Sequence, residues 1–328
     1  MRPTRRTGAL VAFLAVLVWL SATHGPRALN AIAAPVVVAL AAGLVHAAWL
    51  DPPAITRSDP VPCFPGETRT VELDVDGGGL ARVDERVGDL PAAGTTAETT
   101  LPGTVTYELE PERRGVYPLG PATVTVTDAF GLFERTFETG SSGELVVYPT
   151  VYDVADRSVL SALLGDALAD ERSEFDRIRE YDPGDSLRDI NWKSSAKREE
   201  LVVTEFATGR EGETVTVAGH AAEGERAADR MASAVATVAV SLLDAGMAVG
   251  VAVPGGELPP GGGDHHRRRL LDLLARTPGG SVDAPDAEVV VRARDDDLAV
   301  SVAGREQPVE AVTGRRRNPL SARGGDRA

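Results

Sequence analysis

Two apolar stretches open the chain. Residues 8–22 carry no charge but are short, whereas residues 28–50 are long and interrupted only by Asn30 and His46. A membrane-crossing helix needs roughly 17 to 25 apolar residues, which the first stretch reaches by including Thr7 and Thr23. His24-Gly25-Pro26-Arg27 between them leaves room only for a tight turn. The pattern predicts a transmembrane helical hairpin over residues 1–50. Arg2, Arg5 and Arg6 precede the first span and place the N-terminus in the cytoplasm. Two crossings return the rest to the same side, giving a multi-pass cell-membrane protein with both termini cytoplasmic. The competing reading is a secretory signal, with residues 2–6 as its basic start, residues 9–20 as its apolar run and a weak cleavage site at Ser21-Ala22. The body would then be external, held by the second stretch.

A proline-rich linker follows, with Pro52, Pro53, Pro60, Pro62 and Pro65. Apolar and polar residues then alternate over 70–75, 81–87, 105–109, 122–127, 134–137 and 145–148. Gly77-Gly78-Gly79 supplies a turn and the 88–103 region a loop. Short alternating strands at this spacing predict a small β-sandwich over 51–150. After Pro149 the period changes. Residues 159–168 read as a short helix, 214–218 as a buried strand, 227–245 as an apolar helix and 248–253 as a strand ended by Pro254-Gly255-Gly256. A helix over 265–275, with Asp264 as its N-cap, and strands at 288–292 and 298–302 complete an α/β domain over 151–303. The tail over 304–328 contains Arg315-Arg316-Arg317 and no apolar pattern, so it reads as disordered, solvated or touching anionic headgroups.

Charge changes the picture in one respect. The chain holds 34 bases and 49 acids, a net −15. The first fifty residues contain four arginines and no acid, so residues 51–328 carry −19. Such a body does not bind nucleic acid nonspecifically. Arginines number 32 and lysines two, Lys193 and Lys197. Acid excess with scarce lysine is a haloarchaeal-type, salt-adapted composition; GC-rich codon usage produces the same bias. Cys63 is the single cysteine, which excludes an internal disulfide and a four-cysteine zinc site and suits a reducing compartment. It reads as a small, half-buried side chain.

The densest motif runs from Ile178 to Lys197: Ile-Arg-Glu-Tyr-Asp-Pro-Gly-Asp-Ser-Leu-Arg-Asp-Ile-Asn-Trp-Lys-Ser-Ser-Ala-Lys. Pro183-Gly184 suits a turn, Asp185 an N-cap, and Arg188 and Trp192 are neighbours at i,i+4 on the helix that follows. The segment resembles the signature of domain of unknown function family 58, through Arg179, Tyr181, Gly184, Asp185, Arg188, Ile190, Asn191, Trp192, Ser195 and Ala196. Lys197 stands where that pattern has arginine, keeping charge and losing the planar fork. A second family-like stretch runs Arg114-Gly115-Val116-Tyr117-Pro118-Leu119-Gly120-Pro121, followed by Asp128-Ala129-Phe130-Gly131-Leu132-Phe133. With the paired spans and β domain, the resemblance covers about residues 1–275.

The resemblance implies a von Willebrand A-like C-terminal domain and work alongside a MoxR-type AAA+ ATPase in assembly or maturation of protein complexes. A-type domains often hold Mg²⁺ through Asp-x-Ser-x-Ser after the first strand. Here Gly219-His220-Ala221-Ala222-Glu223-Gly224 follows, with no Asp, Ser or Thr, so no metal is expected. There is no Walker A lysine, no His-Glu-x-x-His and no nucleophile elbow. His265-His266 are adjacent and chelate poorly together. The expected function is therefore a membrane-anchored, non-enzymatic interaction protein without cofactor or catalytic residues. Arg179, Tyr181, Gly184, Asp185, Arg188, Asn191, Trp192, Ser195 and Lys197 form either a partner-docking surface or a contact that locks the two soluble domains. The alternatives are an exported cell-surface binding module, and an uncharacterised enzyme using Asp185, Asn191, Ser195 and Lys197.

Overall fold

Residues 70–87, expected as two strands around a glycine turn, form one. In the computed structural model, which describes residues 1–24, 27–139, 142–153, 178–180, 202–204, 214–294, 297–302, 305–307 and 316–320, strand β3 runs from Arg69 to Glu85. The three glycines make a bulge: the register against β5 (Thr96–Leu109) shifts between Val75 and Gly79, and Gly77 and Gly79 hold φ of 133° and 98°. Only glycine adopts these angles cheaply. The bulge bends the strand, so its first half pairs with β2 (Ile55–Arg57) and its second with β7 (Ala122–Thr127).

The chain divides into two units, residues 1–112 with 116–147, and residues 113–115 with 148–328. The first begins with strand β1 (Arg2–Pro3), helix α1 (Arg5–His24) and helix α2 (Arg27–Ala48). Its seven-stranded antiparallel sheet has the order β1-β8-β7-β3-β5-β4, with β2 on β3; β4 is Ala92–Ala93 and β8 is Phe133–Thr139. The segment expected as a loop at 88–103 thus contributes β4 and the first half of β5. Its alternation is carried by Ala97, Thr99 and Leu101, of which only Leu101 is large and apolar. Strands β6 (Gly115–Leu119) and β9 (Gly143–Val147) pair as a second sheet. Val71, Leu73, Val83, Tyr107, Leu109 and Val124 of the large sheet share one core with Leu119, Leu145 and Val147 of the small one. Each such aliphatic side chain contributes about 1.5–3 kcal/mol by leaving water. Cys63 lies in this core fully buried, not half-buried, and its N–H donates to the Val146 carbonyl at 3.1 Å.

In the second unit, β13 (Thr214–Ala221), β14 (Ala248–Val253) and β16 (Val289–Ala293) run parallel at the centre of a six-stranded sheet. Helix α3 (Glu225–Asp244) crosses from β13 to β14, and helix α4 (Gly263–Arg276) lies between β15 (Gly256–Gly261) and β16. The order is β15-β14-β13-β16-β17-β18, where β17 is Leu298–Val302 and β18 is Arg305–Gln307, and all flanking pairs are antiparallel. Strand β15 contains Pro259 and Pro260 and was unforeseen. Proline is tolerated at a sheet edge because no outward ladder bond is required of it. Helix α3 packs closely on β13 because Gly219 leaves room: a Cβ there would stand 2.6 Å from Met231 Sδ and 2.9 Å from Val235 Cγ2.

Two local expectations change, the Asp264 cap and the structureless tail. Helix α4 is preceded by Gly262 without a side-chain cap, and Asp264 instead pairs with Arg267 at 3.2 Å. His266 turns inward and bonds the Val249 carbonyl through Nε2 at 2.7 Å, while His265 is exposed. The 304–328 stretch, expected to be structureless, supplies β18 and also β19 (Arg316–Arg317), which pairs with β10 (Val151–Tyr152). Arg317 and Arg267 both reach Asp244, each at 2.8 Å. The helix expected at 159–168 lies outside the described residues.

Candidate functional site

The signature enters the described structure only at its base. Strand β11 (Ile178–Glu180) pairs antiparallel with β12 (Val202–Thr204), with Arg179 opposite Val203. This ladder also sets Glu180 opposite Val202. Tyr181, Gly184, Asp185, Arg188, Asn191, Trp192, Ser195 and Lys197 lie outside the described residues, as does the Arg179 side chain.

The second family-like stretch is described in full. Asp128 is 4% exposed. Its Oδ1 accepts the backbone N–H groups of Leu132 and Phe133 at 2.6 and 2.7 Å, and its Oδ2 that of Phe130 at 3.1 Å. The carboxylate thus folds Asp128–Phe133 into a tight turn, in which Gly131 takes φ 67°. The turn's outer face holds the N-terminus. Thr4 donates through its backbone N–H to the Leu132 carbonyl at 2.9 Å and through Oγ1 to the Gly131 carbonyl at 2.8 Å, and Thr7 Oγ1 donates to Leu132 as well. Arg2 and Pro3 extend the sheet edge opposite Glu134 and Phe133. The far end of α2 is held by Arg135, whose Nη1 donates to the Ala48 and Leu50 carbonyls at 3.0 and 2.8 Å. Gly43 lets α2 approach the turn, since a Cβ there would stand 2.8 Å from Asp128 Oδ2. One turn therefore roots the start of α1 and the end of α2 in the β domain. The sequence displayed its residues without their roles.

Arg114, from the same stretch, is counted with the second unit. Its Nη1 donates to the Leu274 carbonyl at 2.6 Å and its Nη2 to that of Thr277 at 2.9 Å, and its Nε lies 2.9 Å from Asp229 Oδ1. A helix leaves its last carbonyls without intrahelical donors, and a cation there also opposes the dipole. Arg114 serves both needs at the end of α4. Burial pushes the Asp229 carboxyl above the usual range, against the pull of Arg114.

Around the rooting turn lies a cleft of about 1160 Å³. Its walls include Arg5 and Arg6 of α1, His46 and Trp49 at the end of α2, Gly77–Arg82 of the bulged strand, and Phe130. Elsewhere in the β domain, Arg57 and Glu85 pair at 2.5 Å with side chains 4% and 0% exposed, beside the buried Tyr107. Burial raises the Glu85 carboxyl, with Arg57 pulling it back, and burial pushes the Tyr107 hydroxyl up to about 12. Such a pair fixes where strands meet more than it adds net stability.

In the second unit the carboxyl end of β13, at the usual ligand crevice of an open α/β sheet, is bonded to residues 280–282. Ala221 and Gly280 exchange backbone hydrogen bonds at 2.8 and 3.0 Å, and the Val282 N–H donates to His220 Nδ1 at 3.3 Å. Burial, aided by Arg292, lowers the His220 pKa and favours the neutral ring that accepts this bond. Among the described residues no three His, Cys, Asp or Glu side chains are grouped to hold a metal ion.

Two solved structures share only low overall similarity with this chain. The PKD domain of an M14-like peptidase from Thermoplasmatales archaeon SCGC AB-540-F20 is 18% identical at TM-score 0.23, covering 30% of this chain and 97% of that one. WR4, a C. elegans MSP family member, is 12% identical at TM-score 0.20, over 28% and 93%. The uncharacterized protein YeaD of Bacillus subtilis (strain 168) is 29% identical over 160 residues, which are 47% of this chain and 40% of that protein. The chain thus matches well under half the length of this curated relative. Residues 177–303, which hold the Arg179–Lys197 signature and most of the mixed sheet, match the family described as "Protein of unknown function DUF58".

Proposed function

We propose that this chain is a membrane-anchored, non-enzymatic interaction protein, whose α/β unit presents the signature to a MoxR-type AAA+ ATPase during assembly or maturation of protein complexes. The observation that supports anchoring is the state of the two helices. Both are long and apolar enough to cross a membrane. Val11, Phe13, Val16, Val18 and Trp19 of α1 and Ile32, Val37, Val38, Leu44 and Val45 of α2 are exposed. A soluble core helix would bury such residues; a bilayer solvates them. The rooting turn favours two crossings, because it fastens the first residues of the chain and the end of α2 to one domain. Cleavage near Ala22 would remove β1, Thr4 and Thr7 from that domain, which weighs against the exported reading.

The central strand order, with β13 between β14 and β16 and an antiparallel β15 at the edge, supports an A-type-like sheet used for protein contact. The scarcity of lysine and the charge of −15 support work at high salt, and the lone cysteine suits a cytoplasmic body. Affinity purification of the tagged full chain from gently solubilised membranes, beside a Trp192→Ala variant, tests the role. Recovery of a cytoplasmic AAA+ ATPase that falls in the variant supports docking through the signature. Recovery of cell-surface proteins alone rejects the cytoplasmic reading.

A further inference from the structure

We propose that the groove formed by β10, the end of α3 and the start of α4 is a docking site for an arginine-bearing extended segment of a protein partner, and that the chain's own residues 316–320 fill it in cis. The inference uses none of the signature residues and stands apart from the membrane reading. Asp244 closes α3, where a carboxylate meets the negative end of the helix dipole and needs cations. Two guanidiniums supply them: Arg267 Nη2 of α4 and Arg317 Nη1 of β19, each at 2.8 Å. Asp153 Oδ1 lies 3.5 Å from Arg317 Nε. The Pro319 carbonyl accepts from Arg267 Nη1 at 3.2 Å. Among the described residues β19 is the only strand partner of β10, with Arg317 opposite Val151.

An arginine between two carboxylates, a backbone ladder and a carbonyl on a guanidinium are contacts that strand addition by another chain reproduces. The cis segment is suited to yield. Its ladder with β10 is two residues long, too short to be stable alone. The Arg317 and Asp244 side chains remain 28% and 21% exposed, so solvent weakens their pairing. The tether holds the segment by raising its effective concentration. The groove itself outlasts its departure: Asp244 keeps Arg267, and the Tyr152 N–H still donates to Thr237 Oγ1 of α3 at 3.2 Å. A longer arginine-bearing strand therefore displaces it.

The test uses the full chain in mild detergent and fluorescence anisotropy of a labelled peptide of residues 311–328. A scrambled peptide of the same composition controls for attraction between a basic peptide and an acidic protein. About 1 M KCl shortens electrostatic reach to about 3 Å while sparing partly buried pairs. The Arg317→Gln chain, whose own segment competes less, should bind the peptide about fivefold more tightly than the wild-type chain does. It should prefer the native over the scrambled peptide about tenfold, and a peptide carrying Arg317→Gln should lose that preference. Hydrogen exchange at residues 151–153 should slow when the peptide binds. Circular dichroism checks that the variant is folded. The wild-type chain should rank the three peptides in the same order, so the ranking is readable without the variant. Equal binding of native and scrambled peptides, equal affinity of the folded variant and wild-type chains, or unchanged exchange at 151–153 overturns the proposal.

Discussion

Replacing Asp128 by alanine removes the acceptor of three backbone N–H groups within a turn of six residues. Two of those bonds, to Leu132 and Phe133, are 2.7 Å or shorter. Hydrogen bonds to a charged group contribute about 1.5–3 kcal/mol each, and a buried donor left without acceptor costs about 1–3 kcal/mol. Water can enter beside Phe130, which is half exposed, but not readily at Leu132, which is buried. The net local loss is therefore about 3 kcal/mol, dominated by the two short bonds. At 1.36 kcal/mol per tenfold, amide hydrogen exchange at Leu132 and Phe133 should quicken by roughly 100-fold. Because Thr4 and Thr7 bond the carbonyls of Gly131 and Leu132, amides at the start of α1 should quicken as well. Asp128→Asn keeps one acceptor oxygen and should lie between the two. Exchange read by mass spectrometry on peptides spanning 2–10 and 128–135 makes the comparison. Unchanged exchange in the alanine variant would show that the turn is held by its neighbours, and the rooting argument would fail.

Three further outcomes follow from the packing. Burial pushes the Cys63 thiol up to about 11, so at pH 8 roughly one molecule in a thousand carries a thiolate. Ellman's reagent should react only on unfolding, and native reaction at the rate of a free thiol would refute the burial. The unfolded thiol ionises nearer 9, so this group's contribution to stability is present below pH 9 and lost as pH rises towards 11. Gly219→Ala forces Met231 and Val235 away from β13 and should lower stability by about 1–3 kcal/mol, read as a fall in Tm; an unchanged or higher Tm contradicts the close approach. Raising KCl from about 0.2 to 3 M should raise Tm, since screening relieves self-repulsion in so acidic a body, and a salt-independent Tm would favour codon bias as the source of the composition.

Elements defined by local periodicity were legible in the sequence. The β7 and β14 segments alternate or run apolar over their full length, and α3 repeats Met231, Val235, Val238 and Leu242 on one face. What escaped notice depends on distant partners or on backbone angles. Nothing local announces that Arg2–Pro3 pairs with Phe133 and Glu134, or that Arg316–Arg317 pairs with Val151–Tyr152. The triple glycine reads equally as a turn or a bulge until the register of β5 is known. Asp128 and Arg114 stood inside a recognised stretch, yet their roles depend on carbonyls and amides, which sequence does not display. The Arg179–Lys197 signature was the most specific sequence signal, and only its flanking ladder is described.

The proposal that the two helices make two membrane crossings is tested most directly by sidedness. Single cysteines at Ser58 in the β domain, at Arg2 and at Thr23 near the end of α1 would be introduced over Cys63→Ala and labelled with a membrane-impermeant maleimide in sealed vesicles of each orientation. The account predicts that residues 2 and 58 are labelled from the same face and residue 23 from the opposite one. Labelling of residues 2 and 58 from opposite faces would mean a single crossing, and would contradict it.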